Sequence, residues 1–302
     1  MKKAYIFVIL SAILWGLIGF FVQGLYKYHF SPLQVVAVRA IIAAFFLLIY
    51  IVLKDRRLLK IAWKDSFYFI GTGIFSIVFF NWSYFTAIKE VSLSVAAVLL
   101  YTAPAFVTIL SWIIFKETLT KGKIFSLLIT LIGTTLVIGL FEQEVNISPK
   151  GLMAGIGSGI GYALYSIFGK AALSKYDTLT ITFYTFVFAS IAIIPMTHFW
   201  TSMELFSAKA AWIYMIGLSF LPTVLAYILY TKGLESLESS RASIVSTIEP
   251  VVAALLGVFQ FGEKLTLLQV IGMLLVLLAI ILVREREKDI LVNNHPIKTT
   301  EP

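Results

Sequence analysis

Apolar runs of about twenty residues recur along the 302-residue chain, separated by short polar breaks. The pattern predicts ten helical spans, at residues 4–24, 33–53, 66–87, 92–115, 124–141, 151–173, 179–198, 210–231, 239–261 and 267–283. Each approaches the length that a helix rising about 1.5 Å per residue needs to cross about 30 Å of hydrocarbon. The first run follows Met1-Lys2-Lys3 and in that resembles a signal peptide. It is too long for one and has no Ala-x-Ala site before Tyr26 and Lys27, so it reads as a retained helix.

Composition sharpens this picture. Apolar and aromatic residues make up 60% of the chain and charged residues 13%, against about 45–50% and about 25% in an average soluble protein. A soluble fold of this size cannot bury so much apolar surface. Lipid is the expected surrounding, and ten spans leave no room for a sizeable soluble domain. Cysteine is absent, which excludes disulfides, thiolate metal sites, cysteine nucleophiles and S-acylation. His29, His198 and His295 are far apart and show no metal-ligand spacing. No Walker sequence is present, and no cofactor is expected.

The net charge of +8 comes with no basic domain that could hold nucleic acid. Its distribution is informative instead. With the N-terminus inside, 18 Lys and Arg fall in cytoplasmic segments and five in external ones, and Arg39 lies within a span. Lys and Arg are retained on the cytoplasmic side. The expectation is therefore a multi-pass protein of the cell (plasma or inner) membrane with both termini cytoplasmic.

A shift of 146 residues aligns Ala87–Val137 with Gly233–Val283 without a gap. Pro104 then meets Pro250, Glu117 meets Glu263, and Leu119-Thr120 meets Leu265-Thr266. Upstream, Gly71 meets Gly217 and Tyr84 meets Tyr230; with one residue of slippage Ser11 and Trp15 meet Ser158 and Tyr162. Two five-span copies, 4–141 and 151–284, are expected, followed by a cytoplasmic tail at 285–302. An odd number of spans per copy makes the second enter the membrane from the opposite side. The predicted fold class is thus an all-α polytopic membrane protein of ten transmembrane helices, arranged as two inverted five-helix repeats. Secondary carriers are commonly built this way, with a site at the midplane.

Phe115-Lys116-Glu117-Thr118-Leu119-Thr120 after Pro104, and its echo Phe261-Gly262-Glu263-Lys264-Leu265-Thr266 after Glu249-Pro250, carry a family resemblance. With Trp15-Gly16 in the first span, the chain resembles ten-helix members of the drug/metabolite transporter superfamily with two EamA domains. The resemblance implies a secondary transporter of small organic solutes and, as direction and substrate class, export of amino acids or related metabolites by alternating access. An uncoupled facilitator or exchanger and a drug efflux carrier stay open as alternatives. A channel ranks lower, as does a membrane-embedded enzyme, for which no nucleophile-base pair or metal cluster is visible at membrane depth. The expected partners are a small solute and the bilayer; a homodimer is compatible with the sequence, which does not itself require one.

Several residues are candidates for the transport path. Pro104 and Pro250 interrupt spans 4 and 9 at matching positions and are the expected hinges, freeing the carbonyls of Leu100 and Ser246. A static kink satisfied by nearby Ser and Thr is the competing reading. Glu249 falls near the bilayer centre, where an acid costs about 2.5–3.5 kcal/mol, so it should face a cavity or a partner. Ser246 shares its helical face. The copy has Ala103 at that position, so the fold itself does not demand the acid. Proton exchange, substrate amine binding and a structural hydrogen bond are its possible roles. Arg39, whose counterpart is Phe186, is expected to attract an anionic group, pair with Glu249, or snorkel outward. Trp15, Asn81, Trp82, Tyr84, Tyr101, Tyr162, Tyr165, Tyr227 and Tyr230 are candidate lining residues, of which a minority should face the path. Lys116-Glu117 and Glu263-Lys264 read as solvated helix-end charges. Gly155/Gly159 and Gly157/Gly161 predict close helix packing around span 6.

Overall fold

The computed structural model describes residues 2–142, 148–199 and 202–294. It is all-helical there. Nine helices are long and apolar enough to cross a membrane: α1 (Lys2–Tyr26), α2 (Pro32–Lys54), α3 (Trp63–Glu90), α4 (Leu93–Phe115), α5 (Lys121–Ile138), α6 (Pro149–Ala172), α7 (Thr178–Thr197), α8 (Lys209–Leu234) and α9 (Ser239–Gln260). A shorter apolar helix, α10 (Leu267–Val283), completes the bundle, and its backbone stays helical to Asn294. The predicted tail therefore begins as a continuation of α10, and residues 295–302 lie outside the described residues.

The bundle is not a set of straight rods. α4 and α9 each divide into two half-helices, Leu93–Leu100 with Ala103–Phe115, and Ser239–Ser246 with Ile248–Phe261. Both breaks fall in the spans where the sequence placed its proline interruptions. The breaks fall at Tyr101-Thr102 and at Thr247, just ahead of Pro104 and Pro250. Each proline thereby sits in the first turn of a new half-helix, where its missing N–H costs nothing. Hydroxyls cap the loosened carbonyls: Thr102 donates to Leu99 (2.6 Å) and Thr247 to Ile244 (2.6 Å). α3 and α8 contain a second matched irregularity, wide π-helical stretches at Gly71–Val78 and Phe220–Leu225. Such turns often mark functional positions.

The two halves of the chain pack through each other. α1 lies against α8 and α9, α6 against α3 and α4, α2 against α7, and α5 against α10. Small residues allow these approaches, as is usual in lipid. Gly155 abuts the Leu99 side chain, Gly159 abuts Thr102 and the Leu99 carbonyl, and Gly161 abuts the Phe80 backbone, so the glycine run of α6 does seat it closely. Gly133 and Gly272 meet where α5 crosses α10. Gly16 of α1 lies against Val252 and the Glu249 carbonyl, beside the break in α9.

Candidate functional site

A cavity of about 380 Å³ runs from the breaks toward the face carrying the α1–α2 and α3–α4 connections. Its deep wall holds Trp15, Arg39, Tyr101, Tyr162, Tyr227 and Glu249; Asn81 and Tyr84 lie along α3, and Gln23 and Tyr26 nearer the mouth. Trp15, Arg39, Asn81, Tyr84, Tyr101, Tyr162, Tyr227 and Glu249, all candidates from the sequence, are thus brought to one space from seven helices. Ser246 is not. It lies at the end of the first half of α9, donates to Ser243 (2.8 Å), and faces a narrow void beside Pro104. Once the helix breaks at Thr247, the α-helical spacing that placed Ser246 on the face of Glu249 no longer holds. Trp82 points outward, 47% exposed. Tyr165 and Tyr230 lie one layer below the cavity with Ser166, bonded in the pairs Tyr165–Thr231 (2.6 Å) and Ser166–Tyr230 (2.7 Å).

Glu249 stands in the first turn of the second half of α9, where the helix dipole favours a carboxylate. Its Oε2 accepts from the Tyr162 hydroxyl (3.0 Å), and the Tyr101 hydroxyl is a second partner. Arg39 is buried rather than snorkelling, and its Nε donates to Thr223 Oγ1 at 3.1 Å. Thr223 is held by the wide turn of α8, donating to the Leu218 carbonyl five residues back (2.8 Å). Arg39 and Glu249 line the same cavity, and among the described residues no ion pair within 4.0 Å joins them. Trp15 packs edgewise on Tyr162 and Tyr227, and its buried indole N–H has no hydrogen-bond partner among the described residues. Asn81 lines the cavity and donates to the Ile77 carbonyl (2.7 Å). The space therefore presents donors on Arg39 and Trp15, an acid on Glu249, and aromatic faces between them.

The opposite face of the bundle is shut. Lys170 of α6 donates to the Leu234 (2.5 Å) and Leu237 (2.9 Å) carbonyls at the end of α8. Lys123 of α5 is buried and pairs with Glu238 (2.9 Å), which also receives Arg241 (2.5 Å). Glu117 is buried too, accepting from the Ser239 and Ser240 amides at 2.6 and 3.2 Å. The solvated helix-end reading therefore fails for Glu117. A tertiary partner, the start of α9, lies over it, and no local pattern reveals that. The repeat carried a usable signal, because Glu117 is one of few charges matched in both copies.

A profile of the EamA-like transporter family matches residues 2–139 and again 149–284. An uncharacterized transporter of Archaeoglobus fulgidus is 32% identical over 292 residues, covering 94% of this chain and all of the relative. The transporter YyaM of Bacillus subtilis is 28% identical over 84% of each chain. A solved crystal structure shares the fold with a TM-score of 0.82 at 17% identity, over 96% of this chain and 99% of that one. The cavity among apolar helices and the double profile match converge: the chain belongs to the EamA-like transporter family and is a multi-pass membrane transporter.

Proposed function

We propose that this protein is a secondary carrier that exports amino acids or related metabolites by alternating access. In this reading ten helices form two inverted five-helix repeats, with both termini cytoplasmic as the 18-to-five distribution of Lys and Arg favours. The observation that carries it is a cavity open toward one face only, ending at half-helix breaks that recur in both copies. Broken helices at matched positions are where carriers bind and rock. On the proposed topology the open face is external.

The polar groups favour a zwitterion among small solutes. Arg39 and the unpartnered Trp15 N–H suit a carboxylate, Glu249 suits an ammonium, and the aromatic walls suit an apolar side chain. Glu249 is also the proposed proton carrier. The groups facing it are Tyr101 of α4, Tyr162 of α6, Tyr84 of α3, Tyr227 of α8 and Arg39 of α2, with no second carboxylate lining the cavity among the described residues. Amino-acid pools of cells with and without the protein identify the solute. Its flux in proteoliposomes then tests coupling: an imposed pH gradient drives wild-type flux, and Glu249→Gln loses that response while keeping exchange. A Glu249→Gln carrier that still follows the gradient would refute coupling through this residue.

A further inference from the structure

Both halves end their fourth helix alike. α4 closes on Lys116 in the left-handed region (φ 57°), and the Glu117 amide reaches back to the Ser111 carbonyl (3.3 Å). α9 closes on Gly262 (φ 70°), and the Glu263 amide reaches back to the Gly257 carbonyl (3.2 Å). The same cap therefore projects a glutamate from each helix, 146 residues apart. Their surroundings differ completely. Glu117 is docked on the N-terminus of the first half of α9, holding two amides and the Ser240 hydroxyl (2.5 Å), with Lys123 at 3.9 Å. Glu263 is exposed and takes no hydrogen bond across the bundle among the described residues.

The residues 146 positions before Ser239 and Ser240 are Leu93 and Ser94, the start of the first half of α4. That end has its own Ser92 hydroxyl, bonded to the Val95 amide (3.2 Å), and among the described residues no carboxylate accepts from the Leu93 or Ser94 amide. The walls follow the same rule. Lys170 and Leu234 are bonded on the shut face, while their counterparts Gln23 and Ile88 stand apart on the cavity wall. Where the glutamate is docked the bundle is shut, and where its twin is undocked the bundle is open.

We propose that Glu117 and Glu263 are reciprocal positioning residues of the transport cycle. In the state described, Glu117 on α9 holds one face shut. In the opposite state Glu117 is released and Glu263 docks on the Leu93 and Ser94 amides, holding the other face shut. The proposal rests on the alternating-access reading and adds the contacts that hold each end state. A carboxylate on helix N-terminal amides is a charge-assisted bond with a favourable dipole, and Gln keeps the shape while losing the charge.

The chain has no cysteine, so single reporters are placed without a prior knockout. Val22→Cys lies on the open wall. Gly169→Cys is its counterpart on the shut face, where an added Cβ meets nothing closer than 3.9 Å. Labelling by a hydrophilic maleimide in nanodiscs, where both faces are reachable, gives the ratio of the two rates. Glu117→Gln lowers the Val22→Cys rate and raises the Gly169→Cys rate, shifting the ratio about tenfold, the size of one charge-assisted bond. Glu263→Gln shifts it the other way. Because Glu263 is exposed, its replacement leaves the described state intact, so it carries the test if Glu117→Gln fails to fold. An unchanged ratio in Glu263→Gln, or both variants shifting the ratio in one direction, overturns the proposal. If both reporters label in the wild type and only the variants are silent, the latch alone falls. If Gly169→Cys never labels in the wild type, alternating access falls with it.

Discussion

Thr223 offers a direct test of how Arg39 is held. Its side chain is fully buried and does two things at once, accepting from Arg39 Nε and donating to the Leu218 carbonyl across the wide turn of α8. Thr223→Val keeps the volume and removes both bonds. A hydrogen bond to a charged group contributes about 1.5–3 kcal/mol, and a neutral bond within a membrane protein averages about 0.6 kcal/mol. The expected loss is therefore about 2–3.5 kcal/mol. Thr223→Ser keeps both bonds and removes one methyl, costing about 0.8 kcal/mol. Reversible unfolding in mixed detergent micelles, titrated with SDS, measures all three proteins. Flux in proteoliposomes should follow the same order, because an Arg39 without its acceptor is no longer aimed into the cavity. The reasoning is refuted if the Val variant lies within about 0.5 kcal/mol of wild type, or if the Ser variant loses as much as the Val variant.

Two further outcomes follow from packing and from charge. A Cβ on Gly272 would lie 2.7 Å from the Gly133 carbonyl oxygen and 2.7 Å from the Val137 amide. Gly272→Ala should thus cost about 1–3 kcal/mol in thermal unfolding, whereas Gly157→Ala, whose nearest neighbour is 3.4 Å away, should be neutral. Glu238, in the α8–α9 connection, is partly buried, which works against its charge, but hydrogen bonds from Lys123 and Arg241 outweigh this and hold its carboxyl below the ordinary value. A depressed folded value means that its stabilisation is complete above the unfolded carboxylate range and is lost as pH falls through the folded value. Wild-type melting temperature should therefore fall on that acidic limb, and Glu238→Gln should flatten it; an unchanged acid slope in the variant contradicts the assignment.

The long apolar helices and the 146-residue offset were legible in the sequence because both rest on local composition, which the bilayer enforces span by span. Glu249 and Arg39 were legible for the same reason, since a charge inside an apolar run needs an account wherever it lies. What local pattern could not carry was tertiary. Glu117 and Lys123 sit at helix ends, where exposed charges are common, and only the approach of α9 buries them. Ser246 was placed by ideal α-helical spacing, which the break at Thr247 interrupts. Pro222, inside the wide turn of α8, resembles any membrane proline in sequence. From that turn Thr223 reaches both the Leu218 carbonyl and Arg39 of α2, a tertiary contact with no local signature.

The interleaving of the halves has a consequence for what counts as a folding unit. The main helix pairs, α1 with α8, α6 with α3, α2 with α7 and α5 with α10, all join residues from different copies. Apart from a small cluster around Ala87, Val91, Val95 and Ala96, the cores draw on both copies, so in energetic terms the molecule is close to a dimer whose two subunits share one chain. The segment between α5 and α6 then serves as a tether that raises the local concentration of one half about the other. Stability is a property of the pairing, and a lesion in either half is felt in both.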